Sequence, residues 1–391
     1  MQEHAPNVHG NPISRRVDQV DPPVDPEAVD LTVVFITRNE ESRIGECIQS
    51  TMSAAEEAKR LGVLRTVEYV LVDSASTDRT LEIASRFPVS IVRLSPSWPL
   101  SAGAGTYAGV LHARGVLVAV INGDMTIDPR WLVQALPRIE GRIAGVTGIA
   151  KETLRGHTPI ERLVIRYSAS PLSEGVIPPD VASHPGGFST GTLLVRTAAV
   201  RAVGSVNPFL RAAEDHDLRH RLLRGGWEVL DLPIVQGTHY WTAEEADLDL
   251  LSYFKTMQRN AVGLGQMARI HWRKDSSLAR LAIRPIVSGR VLFNSLLGLF
   301  GVVLASLHVI GLFVWVPALA VGLAGDFGVV LHARDSGRRS GTGLVDSLFA
   351  DWLYPVAYTL VRTVGFVRGF LAKPRGPQTY PRPPPPSIPP R

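Results

Sequence analysis

The first group of residues that could do chemistry is the tripeptide Asn122-Gly123-Asp124. It follows a continuous apolar run, residues 116–121, and a run of this kind bounded by turn residues predicts a buried parallel strand. Ligands of open α/β sheets bind beyond the carboxyl ends of the strands. A carboxylate at that place suits a hard cation that bridges phosphates, and Gly123 would let the backbone come close to the ligand. The alternative is an ordinary turn in which Asp124 is solvated.

Acidic residues also follow two other predicted strands. Glu40 comes shortly after the apolar run 31–37, and Asp73 comes directly after the run 67–72. Carboxylates at three strand ends suit hydrogen bonding to a base or ribose, together with a metal on a diphosphate. These strand ends carry neither a GxGxxG pattern nor a P-loop lysine, which argues against the binding of a dinucleotide or of ATP.

The elements that must position these residues alternate between strands and helices. We expect strands at 31–37, 67–72, 89–94, 116–121 and 144–150, with helices between them that include 103–114 and 130–139. This alternation predicts an α/β fold with a Rossmann-like, mostly parallel sheet flanked by helices and joined by right-handed crossovers. Two further strands are predicted at 192–196 and 227–232.

A second acidic group, Glu214-Asp215, stands at the start of a predicted helix. Leu218, Leu222 and Leu223 follow it at helical spacing. The helix dipole alone favours acidic residues at this position, so simple capping is one interpretation. The other is a general base, because a carboxylate beside an acceptor hydroxyl could remove its proton while a metal stabilises a departing diphosphate.

Composition limits the classes of protein that fit. The 391 residues can hold one large domain with appendages, or two domains, and the formal charge is +5. The basic residues form no stripe and no zinc-finger or RNP-type motif is present, so we expect no nucleic-acid partner. The single cysteine, Cys47, excludes an internal disulfide and fits a reducing compartment. The polar, proline-rich residues 1–30 predict a disordered leader.

Taken in order, these segments resemble the family 2 glycosyltransferases of GT-A fold. The resemblance covers roughly residues 31–239 and rests on five pieces of sequence. They are Thr37-Arg38-Asn39-Glu40-Glu41, Asp73-Ser74-Ala75-Ser76-Thr77-Asp78, Asn122-Gly123-Asp124-Met125, the glycine-containing segment 187–196, and Glu214-Asp215-His216-Asp217-Leu218 with its downstream Gly225-Gly226-Trp227. Two features differ from the family pattern: Asn122 stands at the usual first Asp of the metal motif, and Gly105–Gly109 lacks a usual Arg and Asn.

The resemblance implies roles for particular residues. Asp215 would be the catalytic base, and Asp124 and His239 would bind a divalent metal, Mn²⁺ or Mg²⁺. The alternative for His239 is an ordinary buried histidine. Gly191 and Glu214 would lie on the acceptor and sugar side. The nucleotide-sugar would contact Thr37, Asn39, Glu40, Asp73, Asn122, Gly123 and Asp124.

The C-terminal part of the chain predicts contact with a membrane. Residues 291–325 carry no charge, and this segment is longer than the roughly 20 residues that one spanning helix needs. Arginines flank both ends, so both ends are expected to face the cytoplasm and the segment to form a tight hairpin or re-entrant pair. A buried soluble helical pair is the alternative. Residues 344–371 are expected to form an interfacial amphipathic helix or a third span.

These features predict five regions and one function. The regions are the leader 1–30, a GT-A domain at 31–242, an interfacial helical linker at 243–290, hydrophobic transmembrane, re-entrant and amphipathic helices at 291–371, and a proline-rich disordered tail at 372–391. The resemblance implies an inverting, metal-assisted transferase, and the uncharged C-terminal segment with its flanking arginines predicts association with the cell membrane, with the catalytic domain in the cytoplasm. It would move a single sugar from a nucleotide-diphosphate donor, a UDP-sugar rather than a GDP-sugar, to a lipid-linked or membrane-proximal acceptor. The alternatives are a sugar-phosphate nucleotidyltransferase and an inactive transferase-like membrane scaffold.

Overall fold

The computed structural model describes residues 29–153, 175–176, 192–240, 250–271 and 354–372. Within these residues the strands are β1 (Leu31–Thr37), β2 (Val67–Asp73), β3 (Ser90–Arg93), β4 (Leu117–Asn122), β5 (Met125–Ile127), β6 (Ile143–Glu152), β7 (Gly175–Val176), β8 (Thr192–Arg196) and β9 (Glu228–His239). The helices are α1 (Ile44–Arg60), α2 (Thr80–Ala84), α3 (Ala102–His112), α4 (Trp131–Ala135), α5 (Thr197–Ala202), α6 (Glu214–Arg224), α7 (Leu250–His271) and α8 (Tyr354–Leu371).

The strands form one sheet in the order β3-β2-β1-β4-β8-β6-β9-β5, with β7 paired to β9. The predicted α/β architecture with flanking helices is confirmed, but the sheet is mixed rather than mostly parallel. Four pairings are parallel (β1–β2, β1–β4, β2–β3 and β6–β9), and four are antiparallel (β4–β8, β6–β8, β5–β9 and β7–β9). The prediction was wrong here because an apolar run indicates a buried strand without indicating its direction.

The core lies on both faces of this sheet. Along β1, Val33 and Phe35 pack in the cluster that contains α1 and α4, whereas Val34 and Ile36 pack in the cluster that contains α3 and α6. This alternation follows from the two-residue period of a strand. Because both faces of β1 are covered, all seven of its residues are buried, and its carboxyl end is held rigidly at the edge where the acidic loops emerge.

Two predicted elements differ in extent. The predicted helix 130–139 is a short α-helix, α4, followed by a 3₁₀ turn at Leu136–Arg138, because Pro137 cannot donate a helical hydrogen bond. The predicted strand 227–232 is the first half of the longer β9, which continues to His239. The extension matters because it brings His239 beside the turn that follows β4.

Helices α7 and α8 pack along one another beyond the sheet. The Arg269 guanidinium of α7 lies over the Phe370 ring of α8, 5.4 Å from its centroid. No helix in the described ranges is both long enough and apolar enough to span a bilayer. The predicted hairpin of residues 291–325, residues 1–28 of the predicted leader and residues 373–391 of the predicted tail lie outside the described residues.

Candidate active site

The loops that follow β1 and β2 are joined by hydrogen bonds. Asn39 has a left-handed backbone (φ 58°) and its amide donates to Ser76 Oγ at 2.9 Å. Its side-chain Oδ1 accepts from the Thr77 amide at 2.9 Å, and the Glu40 amide donates to Thr80 Oγ1 at 2.7 Å. Asn39, predicted to contact the donor, therefore holds the two loops together in this structure.

Asp73 occupies the predicted place at the end of β2, but its carboxylate points into the loop. The side chain is fully buried, and both of its oxygens accept from the Ser76 amide, at 3.2 and 3.1 Å. Arg93 Nε lies 3.5 Å away. A nucleoside could reach this carboxylate only if the turn opened. The neighbouring Ser74, rather than Asp73, lines the cavity at the strand ends.

A cavity of about 160 Å³ lies where the ends of β1 and β4 meet. Thr37, Glu40, Asn122, Gly123 and Asp124 line it, so the structure brings together five of the seven residues predicted to bind the nucleotide-sugar. A Cβ added to Gly123 would lie 2.9 Å from Thr37 Oγ1 and 3.2 Å from Glu40 Cγ. Only glycine therefore lets the turn after β4 pack so closely against the loop after β1.

Three oxygens of these lining residues have no hydrogen-bond partner within the described part of the chain. They are Thr37 Oγ1, Asn122 Oδ1 and Asp124 Oδ1, and all three are buried. A buried polar atom without a partner costs about 1–3 kcal/mol, so a water or a ligand is expected to pair with these oxygens. Their grouping makes the cavity a candidate binding site.

Asp124 and His239 face each other beside this cavity. The pairing of Met125 with His239 between β5 and β9 sets the register, and Asp124 Oδ2 lies 3.1 Å from His239 Nε2. Among the described residues no group of three or more His, Cys, Asp or Glu side chains could hold a metal. One carboxylate and one imidazole still fit a divalent ion whose remaining ligands are water and substrate phosphates, and Asp124 Oδ1 is a spare acceptor for it.

Glu214 and Asp215 begin helix α6, as predicted. The helix follows Ala213, whose backbone is left-handed (φ 64°) and whose side chain cannot cap it. Glu214 is buried, whereas Asp215 is partly exposed and its Oδ1 accepts from the His216 amide at 2.7 Å. Gly191, the remaining predicted residue on the acceptor side, lies outside the described residues.

Asp215 lines a second, larger cavity of about 810 Å³. Its walls are the N-terminus of α3, the chain from Pro208 to Ala213, the start of α6 and one face of α7. The two cavities share Leu100, Ser101 and Ala102 as lining residues, so they meet at the N-terminus of α3. This junction connects the cavity containing Asp124 to the cavity containing Asp215.

The larger cavity contains two arginines that the sequence did not single out as site residues. Arg211 and Arg259 are exposed, and among the described residues neither guanidinium forms a salt bridge. Apolar side chains such as Phe209 and Leu264 line the same cavity. Arg259 lies on α7, a segment that the sequence predicted to be helical without indicating that it faces a cavity. Arg211 lies in a loop that carries no motif.

Comparison with known proteins agrees with this fold. Residues 32–173 match the model of the family described as glycosyl transferase family 2. This part of the chain is therefore a family 2 glycosyltransferase domain, and the resemblance seen in the sequence is confirmed. The match includes the loops after β1, β2 and β4.

Individual relatives share only part of this chain. A dolichyl-phosphate beta-glucosyltransferase, ALG5A of Trichomonas vaginalis, is 32% identical over 104 residues, which is 26% of this chain and 32% of that protein. A dodecaprenyl-phosphate galacturonate synthase of Rhizobium johnstonii is 29% identical over 122 residues, 30% of this chain and 34% of that protein. The chain thus matches about a third of the length of these relatives.

One solved structure supports the fold over a longer range. The mannosyltransferase PcManGT of Pyrobaculum calidifontis, determined with GDP-Man and Mn²⁺, superposes with a TM-score of 0.51 at 16% identity. The superposition covers 86% of each chain. At this identity the likeness concerns the fold alone.

Proposed function

We propose that this protein transfers a single sugar from a nucleotide-diphosphate donor to a lipid-linked acceptor, with inversion and with the help of a divalent metal. The observation that carries this proposal is a group of buried oxygens at the ends of β1 and β4, next to the Asp124–His239 pair, that have no partner among the described residues. The donor would occupy the smaller cavity, with Thr37 and Asn122 pairing with it. Gly123 would leave room for the diphosphate.

Asp124 and His239 would hold the metal, either Mn²⁺ or Mg²⁺. When bound, such an ion neutralises the charge that develops on a departing diphosphate. The mannosyltransferase PcManGT was solved with Mn²⁺, and this agrees with metal use by the same fold. Asn39 and Asp73 would act on the donor by supporting the loops that shape its cavity, because the side chains of both are used within those loops.

Asp215 would act on the acceptor in the larger cavity. An acceptor oxygen would attack the anomeric carbon, and the bond from that carbon to the diphosphate oxygen would break. Where the attacking oxygen belongs to a hydroxyl, its proton would pass to the Asp215 carboxylate. A single displacement of this kind inverts the anomeric centre. The partly exposed position of Asp215, at the cavity that joins the donor cavity, supports this role.

The acceptor is proposed to be lipid-linked and to carry an anionic group. Two relatives act, by their names, on dolichyl phosphate and dodecaprenyl phosphate. The larger cavity combines apolar walls with Arg211 and Arg259, and arginine is well suited to phosphate. Such an acceptor would place the enzyme at the cell membrane, with its catalytic domain on the cytoplasmic side, where nucleotide-sugars are made.

The experiment is donor hydrolysis by the full-length protein in detergent, with UDP-, GDP- and dTDP-sugars, in Mn²⁺ or in EDTA. We expect Mn²⁺-dependent release of one nucleoside diphosphate, with a UDP-sugar as the best donor, and loss of release in Asp124→Ala. Equal release in EDTA would contradict metal assistance. No release and no nucleotide binding in any condition would favour the inactive scaffold.

A further inference from the structure

Helix α6 carries a buried carboxylate, Asp217, two residues after the partly exposed Asp215. Its side chain is 2% exposed, and its two oxygens are bound by different partners. Oδ2 accepts from Arg221 Nε and Nη2 at 2.9 and 2.7 Å, and Oδ1 lies 2.7 Å from His271 Nε2. A buried charge is tolerated when it is paired and hydrogen-bonded in this way. The cluster lies outside both cavities, so it does not bind substrate directly.

His271 is the last residue of α7 and belongs to a different element from Asp217, 54 residues earlier. Its ring is buried and meets the His220 ring edge-on, with 4.7 Å between centroids. Arg221 also donates from Nη1 to the Val203 carbonyl at 2.6 Å. The cluster therefore fixes the first turns of α6 to the end of α7 and to the segment that follows α5.

The position of Asp217 on the helix determines where Asp215 points. Two residues along an α-helix correspond to a rotation of about 200°. Asp217 therefore faces the interior while Asp215 faces the cavity. Any rotation of the first turn that released Asp217 would turn Asp215 away from the cavity by the same angle.

The residues before Asp215 are held by helix α7. A Cβ added to Gly263 of α7 would collide with the Ala212 backbone, so α7 packs directly on that backbone. The Arg211 amide donates to Gln266 Oε1 at 3.2 Å. Ala213, between these contacts and Asp215, has the left-handed backbone that a side chain disfavours, and the contacts on either side of it keep it there.

We propose that His271, acting through Asp217, is a positioning residue for Asp215, so that α7 forms part of the active site rather than a linker beside it. This inference rests on the proposed role of Asp215 as base. The donor cavity is built by other elements, the ends of β1 and β4. Loss of the His271 contact should therefore slow turnover while donor binding is unchanged.

The test compares His271→Leu with His271→Gln in the full-length protein. Glutamine can present an amide N–H near the position of the imidazole Nε2, whereas leucine cannot. Turnover is measured as nucleoside diphosphate released from the best donor, with water as acceptor, and donor binding as the Kd of UDP with Mn²⁺. Because misplacement of a reacting group by 1 Å can cost about 100-fold, we expect a kcat loss of that order in His271→Leu, recovery of most of it in His271→Gln, and an unchanged Kd.

Two comparisons separate positioning from loss of folding. Leu132→Ala, in the core on the opposite face of the sheet, should lower Tm without lowering kcat at a temperature well below Tm. In an Asp215→Asn background, His271→Leu should have no further effect on residual turnover, because the residue it positions has already been disabled. If the losses of turnover from Asp215→Asn and His271→Leu added in the double variant, or if His271→Leu kept full kcat, this inference would be overturned but the proposed function would stand. A wild-type protein that neither binds nor hydrolyses any donor would overturn the proposed function and this inference with it.

Discussion

Replacing Asp124 with asparagine should separate the contribution of this residue to stability from its role in the proposed donor site. Asp124 Oδ1 is buried and has no hydrogen-bond partner among the described residues, while Oδ2 lies 3.1 Å from His239 Nε2. An amide keeps the shape of the carboxylate and still places a polar atom there, but it removes the negative charge, and an incompletely paired charge costs more to bury than a neutral polar group. The free energy of unfolding of ligand-free Asp124→Asn should therefore equal or exceed that of the wild type.

The same substitution should abolish stabilisation by the metal and nucleotide. A ligand present at 100 times its Kd stabilises the folded state by about 2.7 kcal/mol. For a domain of this size each kcal/mol raises Tm by about 2–4 °C, so UDP with Mn²⁺ should raise the wild-type Tm by about 5–10 °C. Without the Asp124 carboxylate, the part of this rise that depends on Mn²⁺ should disappear.

Thermal unfolding of both proteins in UDP, Mn²⁺, both together, and EDTA measures these quantities. Asp128→Asn is a matched control, because Asp128 follows β5, accepts a hydrogen bond from the Arg130 amide at 2.9 Å and lies outside the cavity. Asp128→Asn should keep the full rise of Tm with UDP and Mn²⁺. The reasoning is refuted if Asp124→Asn keeps the Mn²⁺-dependent rise, or if its ligand-free Tm falls by more than about 5 °C, which would make Asp124 a structural partner of His239.

Two other substitutions test the acceptor side and helix α6. Asp215→Asn should lower transfer to a hydroxyl acceptor by about 10²–10⁴-fold yet spare transfer to a polyprenyl phosphate, whose phosphate is already largely deprotonated at pH 7; equal loss with both acceptors would contradict a base role. Asp217→Asn should lower the unfolding free energy by about 3–5 kcal/mol at pH 7, measured in urea. Burial acts to raise the pKa of the Asp217 carboxyl, but Arg221 and His271 outweigh it and the pKa is lowered. The loss of unfolding free energy in Asp217→Asn is therefore complete above about pH 4 and becomes smaller as the pH falls through the folded-state pKa. A difference that did not change between pH 7 and pH 3 would show that charge pairing is not its cause.

The placement of the site at one edge of the sheet could be predicted from the sequence. Apolar runs ending in Glu40, Asp73 and Asn122-Gly123-Asp124 marked strand ends, and β1, β2 and β4 are indeed parallel neighbours. The orientation of each carboxylate could not be predicted in the same way. Asp73 turns inward because the Ser76 amide lies within its reach, and that depends on loop backbone angles that hydrophobic periodicity does not encode.

Contacts between distant segments account for the rest of what the sequence missed. The reversal of β8 between β4 and β6 is decided by how the chain returns to the sheet, since the burial pattern of a strand is the same in either direction. His271 and Asp217 carry no local signal of their contact. A histidine at the end of an amphipathic helix is compatible with many partners, and only the docking of α7 on α6 selects this one.

The substitution of Asn122 at the metal motif has a consequence for the order of binding. Among the described residues, Glu40 and Asp124 are the carboxylates that line the proposed donor cavity, and Arg38 lines it too, so these side chains give the cavity little net charge. The Asn122 amide adds an acceptor oxygen without a further negative charge. A divalent ion alone would be held by one carboxylate and one neutral imidazole, whereas an ion accompanied by a diphosphate gains strong oxygen ligands of opposite charge. Mn²⁺ by itself should therefore raise Tm little, and Mn²⁺ with UDP should raise it by more than the sum of the separate effects.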